Sequence, residues 1–159
     1  MILLFKLLKQ RIFMNELATF LKLKNDYKLI LTEAALLLGF SRLILLTTEF
    51  RKIAPCIGHH MIEATDDMGT AQLSEAKKVA WAVNVMSRHT FWESKCLVQA
   101  ITAKTMLKRR KIKSTIYLGV AKDENGKMIA HAWVKSCGIV LTGANEMKRF
   151  TVVSMFGDL

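Results

Sequence analysis

A chain of 159 residues, 52% of them hydrophobic, has the length of one domain and ample material for a core. Its formal charge of +11 would suit nucleic acid, an anionic membrane or an acidic peptide. No zinc-finger spacing, aromatic-studded strand pair or helix-turn-helix signature supports the first of these, so nucleic acid is set aside and most lysines are assigned to a solvated face. The three cysteines are an odd number without a secretory signal, which points to a reducing cytoplasm and no structural disulfide.

Residues 3 to 24 mix leucines and phenylalanines with regularly placed lysines and read as one or two amphipathic helices. The opening Met1-Ile2-Leu3-Leu4-Phe5 resembles a signal peptide, but Lys6 and Lys9 break the apolar run and no small-residue cleavage site follows. Asn25-Asp26 is a break, with Asp26 the expected cap of a helix over 27–47. The apolar stretch from Leu29 to Thr48 carries Glu33 and Arg42, leaving Ala34 to Ser41 as its longest uncharged centre, too short for a bilayer. A buried core helix is expected there. The alternative is an interfacial amphipathic helix making peripheral contact with a membrane. Glu33, Arg42 and Glu49 read as surface charges on this helical region.

Pro55, the only proline, is expected to mark a boundary. Cys56-Ile57-Gly58-His59-His60 invites a zinc reading, but no second cluster completes a ligand set, so a loop is expected. Residues 62–71 are polar and unpatterned, another loop. From Ser74 to Ser87 an apolar stripe of Ala76, Val79, Ala80, Val83 and Met86 predicts a helix.

Ser94-Lys95-Cys96-Leu97-Val98-Gln99-Ala100 follows. Ser94 is the expected N-cap of a helix reaching about Arg110, with Leu97, Ala100, Ala103 and Leu107 on one face. Cys96 then stands in the first turn, at the positive end of the helix dipole, a favourable place for an anionic nucleophilic sulfur. The basic run Lys108-Arg109-Arg110-Lys111 suits the helix C-terminus, and could alternatively dock an acidic peptide. Strands are expected over 114–121, 128–136, 138–142 and 149–156. Asn125-Gly126 signals one hairpin and Cys137-Gly138 a second, tight one. Alternation places His131 with Ile129 and Trp133 on one face of its strand. A helix-borne Cys followed by a strand-borne His is the order of a papain-like pair, in which the His acts as base and then as acid. No phosphate-binding glycine loop, repeat or cofactor motif is present, and no cofactor is expected.

The blocks Arg88-His89-Thr90-Phe91-Trp92, Cys96-Leu97-Val98-Gln99-Ala100, Tyr117-Leu118-Gly119-Val120, Ala130-His131-Ala132-Trp133-Val134 and Thr142-Gly143 resemble the transglutaminase-like cysteine peptidases of lasso-peptide biosynthesis. Leu31-Thr32-Glu33-Ala34-Ala35-Leu36-Leu37-Leu38-Gly39 and Ser41-Arg42-Leu43 are similar to that family's helical lead-in, so the resemblance spans about residues 28–156. It implies an α+β, papain-like or transglutaminase-like fold, with a helical N-terminal part (1–60) packed on a small antiparallel sheet in the peptidase core (61–159). It also implies a cytoplasmic cysteine peptidase that removes the leader from a ribosomal precursor, with Cys96 as nucleophile, His131 as base, and Trp92 near the entrance. A separate leader-recognition protein would bring the precursor, because the first 60 residues do not look like the leader-binding domain, and a lasso cyclase would take the freed peptide. Other outcomes of the same pair are acyl transfer to an amine, or a catalytically idle interaction module. The family often places an Asp about a dozen residues after the His. Here Gly143 and Ala144 stand in that place, so Asn145 is the expected third residue, with Glu146 or a backbone carbonyl as alternatives.

Overall fold

The structure, a computed structural model, describes residues 20, 22–65 and 69–159. The amphipathic helices expected over 3–24 fall almost wholly outside the described residues, as do positions 66–68 of the expected loop. Among the described residues, four α-helices, α1 (Asn25–Thr47), α2 (Phe50–Ile57), α3 (Thr70–His89) and α4 (Cys96–Arg109), pack on five strands. The strands are β1 (His59–His60), β2 (Thr115–Lys122), β3 (Met128–Ser136), β4 (Ile139–Thr142) and β5 (Thr151–Gly157). They form one antiparallel sheet in the order β1-β5-β2-β3-β4, which makes the domain α+β.

The turns follow from residue chemistry. Asp123 Oδ1 accepts the N–H groups of Asn125 at 2.9 Å and Lys127 at 2.8 Å, and Gly126 takes a φ of 76°, so the Asp-to-Gly stretch closes the β2–β3 hairpin. Cys137 and Gly138 both adopt positive φ (50° and 74°), the requirement of a two-residue hairpin loop of the primed type.

Strand alternation gives the sheet two dissimilar faces. Ile116, Ala132, Val134 and Phe156 join Val79, Val83, Val98, Ala103, Met106 and Leu107 of the helices in the core. Tyr117, His131 and Trp133 share the other face, where the Tyr117 and Trp133 rings stack with centroids 5.6 Å apart. Gly119 lies opposite His131, and a Cβ there would come within 2.8 Å of both the Trp133 ring and Phe150, so only glycine lets that indole lie flat across the strand.

Helix α1 is part of the core and not an appendage. Ile30, Leu31, Ala34, Leu38 and Ser41 are buried against the other helices, and Ser41 accepts the hydroxyl of buried Thr102 at 3.2 Å. Its cap is Lys24, not Asp26, which falls in the first turn, where a carboxylate complements the dipole. By length and composition α1 could cross a membrane, with a mean hydropathy of 2.0 over its most apolar window. It keeps Leu29, Leu36, Phe40, Leu43 and Leu46 exposed. Glu33 is more than a surface charge. It takes both terminal nitrogens of Arg110, at 2.6 and 3.3 Å, and Arg109 at 3.2 Å, tying α1 to the end of α4. Pro55 does not mark a boundary but lies inside α2, where its missing N–H forfeits one bond near the end of an eight-residue helix.

Lys104 is the buried charge of the domain, with its side chain 3% exposed. Its ammonium donates to Ser114 O at 2.6 Å and meets Asp158 Oδ2 at 2.9 Å. Asp158 also accepts Ser114 N–H at 3.0 Å, so one lysine on α4 fastens the end of β5. Burial pushes this ammonium below the usual lysine value, and the Asp158 carboxylate pulls it part of the way back. The unfolded chain therefore binds more protons in the alkaline window below the ordinary lysine value, and stability should rise with pH there. Asp158→Ala, which leaves the ammonium buried and unpaired, should cost about 3–5 kcal/mol. Lys104→Met should cost less, because Asp158 keeps its Ser114 bonds. Urea unfolding of the two variants beside the parent checks the order.

Candidate active site

Cys96 is the first residue of α4. The residue before it, Lys95, is extended (φ −65°, ψ 168°) and makes no side-chain cap. Ser94, expected as the cap, instead pairs its hydroxyl with Thr90 Oγ1 at 3.1 Å, while its carbonyl accepts Gln99 Nε2 at 2.8 Å. The first main-chain acceptor bond onto the segment before the helix is Gln99 N–H to Lys95 O, 3.0 Å. The amides of Cys96, Leu97 and Val98 are therefore free of side-chain caps, an open helix end of the kind that receives negative charge. The Cys96 side chain is half-buried against the core.

His131 stands on β3, also half-buried. Its imidazole lies between two aromatic rings, 5.1 Å from Phe150 and 6.0 Å from Trp133, centroid to centroid. Its Nε2 is 2.9 Å from the main-chain oxygen of Gly143. A carbonyl oxygen only accepts, so this bond places the proton of the neutral ring on Nε2 and leaves Nδ1 with its lone pair, the form a base needs.

That contact is the backbone-carbonyl alternative to Asn145, which lines the cavity beside the same imidazole. The partner of the imidazole is the main chain at Gly143, and Asn145, two residues on, is exposed. Gly143 has a φ of 74°, in the left-handed region, which turns its carbonyl toward the ring. A Cβ on it would lie 2.7 Å from Ala132 O and 2.9 Å from both His131 Nε2 and Trp133 Cβ. The signal in the sequence is a glycine standing at the position where the family often carries an Asp.

A cavity of about 440 Å³ opens beside the imidazole. Asn84, Ser87 and Arg88 from the last turns of α3 form one wall, Gln99 of α4 a second, and His131 with residues 141–146 the third. Cys96 is not itself one of the walls. It stands one helical turn before Gln99, and positions three apart on a helix are neighbours on its surface, with Cβ atoms about 5–6 Å apart. Thr142, 7% exposed, is part of the third wall, and its hydroxyl has no hydrogen-bond partner among the described residues. Trp92, four residues before Cys96, packs its ring 3.3 Å from the Cβ position of Gly39 on α1, with its indole nitrogen also buried and unpartnered.

The other histidines and cysteines lie elsewhere. Cys56 is exposed in the last turn of α2, and Cys137 is buried in the β3–β4 turn. His59 and His60 are not in a loop but form β1, the short edge strand paired with β5, where His60 Nε2 meets Ser154 Oγ at 3.1 Å. Among the described residues, no three His, Cys, Asp or Glu side chains gather to hold a metal ion.

A cysteine opening a helix and a histidine on the antiparallel sheet beneath, its tautomer fixed by the main chain, define a domain of the papain-like, transglutaminase-like class. The transglutaminase-like superfamily model matches residues 44–155, most of the chain, and the protein belongs to that superfamily. Neither the curated proteins nor the solved structures yield a match.

Proposed function

We propose that this protein is a cysteine peptidase that cleaves the leader from a lasso-peptide precursor. The observation that carries the catalytic part is the bond from His131 Nε2 to Gly143 O, because it leaves Nδ1 as the base. Cys96 Sγ attacks the scissile carbonyl as Nδ1 takes the thiol proton. The uncapped amide at Cys96 donates to the oxyanion of the tetrahedral intermediate in this reading. His131 then hands its proton to the departing amine, a thioester remains on Cys96, and water, deprotonated by the same nitrogen, releases the acid.

The lasso-specific part rests on the resemblance of the Cys96, Gly119 and His131 blocks. A separate leader-recognition protein presents the precursor, and an ATP-dependent lasso cyclase consumes the freed peptide. The cytoplasm is the compartment that suits a chain whose three cysteines are all free. The test combines the purified protein with precursor and recognition protein, read by mass spectrometry. One cut at the leader–core junction, weak without the recognition protein, is the expected result. Full cleavage by the chain alone at low substrate concentration would remove the need for a partner. Products carrying an added amine would make the protein an acyltransferase, and unchanged precursor beside an unlabelled Cys96 would sink the enzymatic reading.

A further inference from the structure

Helix α1 turns one side to the core and the opposite side to solvent. At steps of three and four, Leu29, Thr32, Leu36, Phe40, Leu43 and Thr47 form one exposed stripe that carries no charge and runs about 27 Å. Its leucines and Phe40, with Leu46 beside them, are 57% to 70% exposed. Single apolar side chains on a surface are ordinary, but a contiguous patch of large ones marks a place of contact. We propose that this stripe lies flat on an anionic lipid bilayer, with the lysines at its margins on the headgroups.

Charge is the first feature that selects a bilayer. The chain carries a formal +11. Exposed Lys22 and Lys24 precede α1, and exposed Arg51 and Lys52 open α2. Lys108 lines the apolar groove beside Phe40, and Lys52 stands one helical turn before Cys56, another residue of that groove. Neither Lys52 nor Lys108 forms an ion pair among the described residues. Of the two acids on α1, Asp26 precedes the stripe and Glu33 is held by Arg109 and Arg110. A second copy would set these cations against their equals, which is repulsive. An anionic leaflet offers phosphates above an apolar layer and so matches both parts of the surface.

The second feature is the way α1 is fixed. Ile30, Leu31, Ala34 and Leu38 are buried on its inner side, so the helix spans a bilayer only by giving up the core. Its outer side is free to enter the boundary between headgroups and acyl chains, where amphipathic helices sit about 5–10 Å deep. The apolar surface continues between α1, α2 and α4 as a groove of about 180 Å³, lined in part by Ile44, Ile53, Cys56 and Ile101.

The inference does not rest on the peptidase reading, and its test needs no substrate. The full chain is mixed with vesicles of phosphatidylcholine alone, or with phosphatidylglycerol as one lipid in three, and bound protein is measured by sedimentation. Binding to the anionic vesicles should be at least about tenfold tighter. Lys52→Glu with Lys108→Glu should weaken it by about tenfold and leave binding to phosphatidylcholine unchanged. A cationic protein could adsorb by charge alone, so the apolar contact is read separately. Leu36→Gln with Leu43→Gln removes two exposed apolar groups, keeps the charge and keeps good helix formers, so the urea midpoint should hold. That variant should lose about tenfold in affinity for the anionic vesicles. The indole added by Phe40→Trp should shift its emission to the blue when they are present, beyond any change in the parent. Binding untouched by the leucine changes, or an unshifted indole, overturns the proposal in favour of adsorption by charge. Failure to bind either vesicle also overturns it. Dimers of the lipid-free chain that the same leucine changes dissolve would assign the stripe to a second copy and overturn it too.

Discussion

Replacing Cys96 with alanine should reduce leader cleavage by at least about 10⁴-fold, and His131→Ala should do nearly the same, since nucleophile and base act as one unit. Neither change removes a large core side chain, so urea midpoints should stay close to the parent's. Cys56→Ala and Cys137→Ala should keep most of the activity, because the first thiol is exposed on α2 and the second is buried in a turn. Exposure of Cys56 also shapes the labelling experiment. A thiol reagent will reach it, so modification must be mapped by peptide, and the informative site is Cys96 at neutral pH with His131 intact. Wild-type turnover by Cys96→Ala would remove the catalytic assignment altogether.

Gly143→Ala should be the most damaging change that touches no reacting atom. The left-handed backbone at φ 74° costs a residue with a Cβ about 1–2 kcal/mol. The new methyl would also press on His131 Nε2 and Ala132 O at under 3 Å, with backbone on one side and the imidazole on the other. The expected result is a loss of tenfold or more in rate, beyond the change in folded population. Nitrogen NMR of His131 gives a reading that a merely structural effect would not move: the parent ring should carry its proton on Nε2, and the variant should lose that preference. Asn145→Ala should leave both rate and tautomer near the parent's. If instead Asn145→Ala cost tenfold or more, the side chain would hold the imidazole and the carbonyl would not.

Much of this arrangement could be read from the residues. The spacing of Leu97, Ala100, Ala103 and Leu107 predicts α4, and three of the four are fully buried in it. The two hairpins follow from Asn-Gly and Cys-Gly. What could not be read was decided by main-chain geometry or by distant partners. Ser94 has the chemistry of a cap, yet its hydroxyl turns to Thr90, four residues back, and the helix opens uncapped. His59 and His60 have no strand signature of their own, because their pairing is supplied by Phe156 and Gly157 at the far end of the chain. The partner of His131 is a carbonyl that any residue carries, and only the glycine marks it. Glu33 reads as a solvated charge because its two arginines lie more than 70 residues away in sequence.

The contact of Trp92 with Gly39 bears on where this protein may be cut. The superfamily match begins at residue 44, near the end of α1, and stops at residue 155. The loop that leads into the nucleophile leans on earlier residues, through the indole against Gly39 and through Arg42, whose guanidinium meets Glu93 at 3.3 Å. At the other end, Asp158 holds Lys104. A fragment trimmed to the matched boundaries would keep Cys96, His131 and Gly143 yet lose the scaffolding that holds the start of α4, so the smallest autonomous domain is longer at both ends than its recognisable signature.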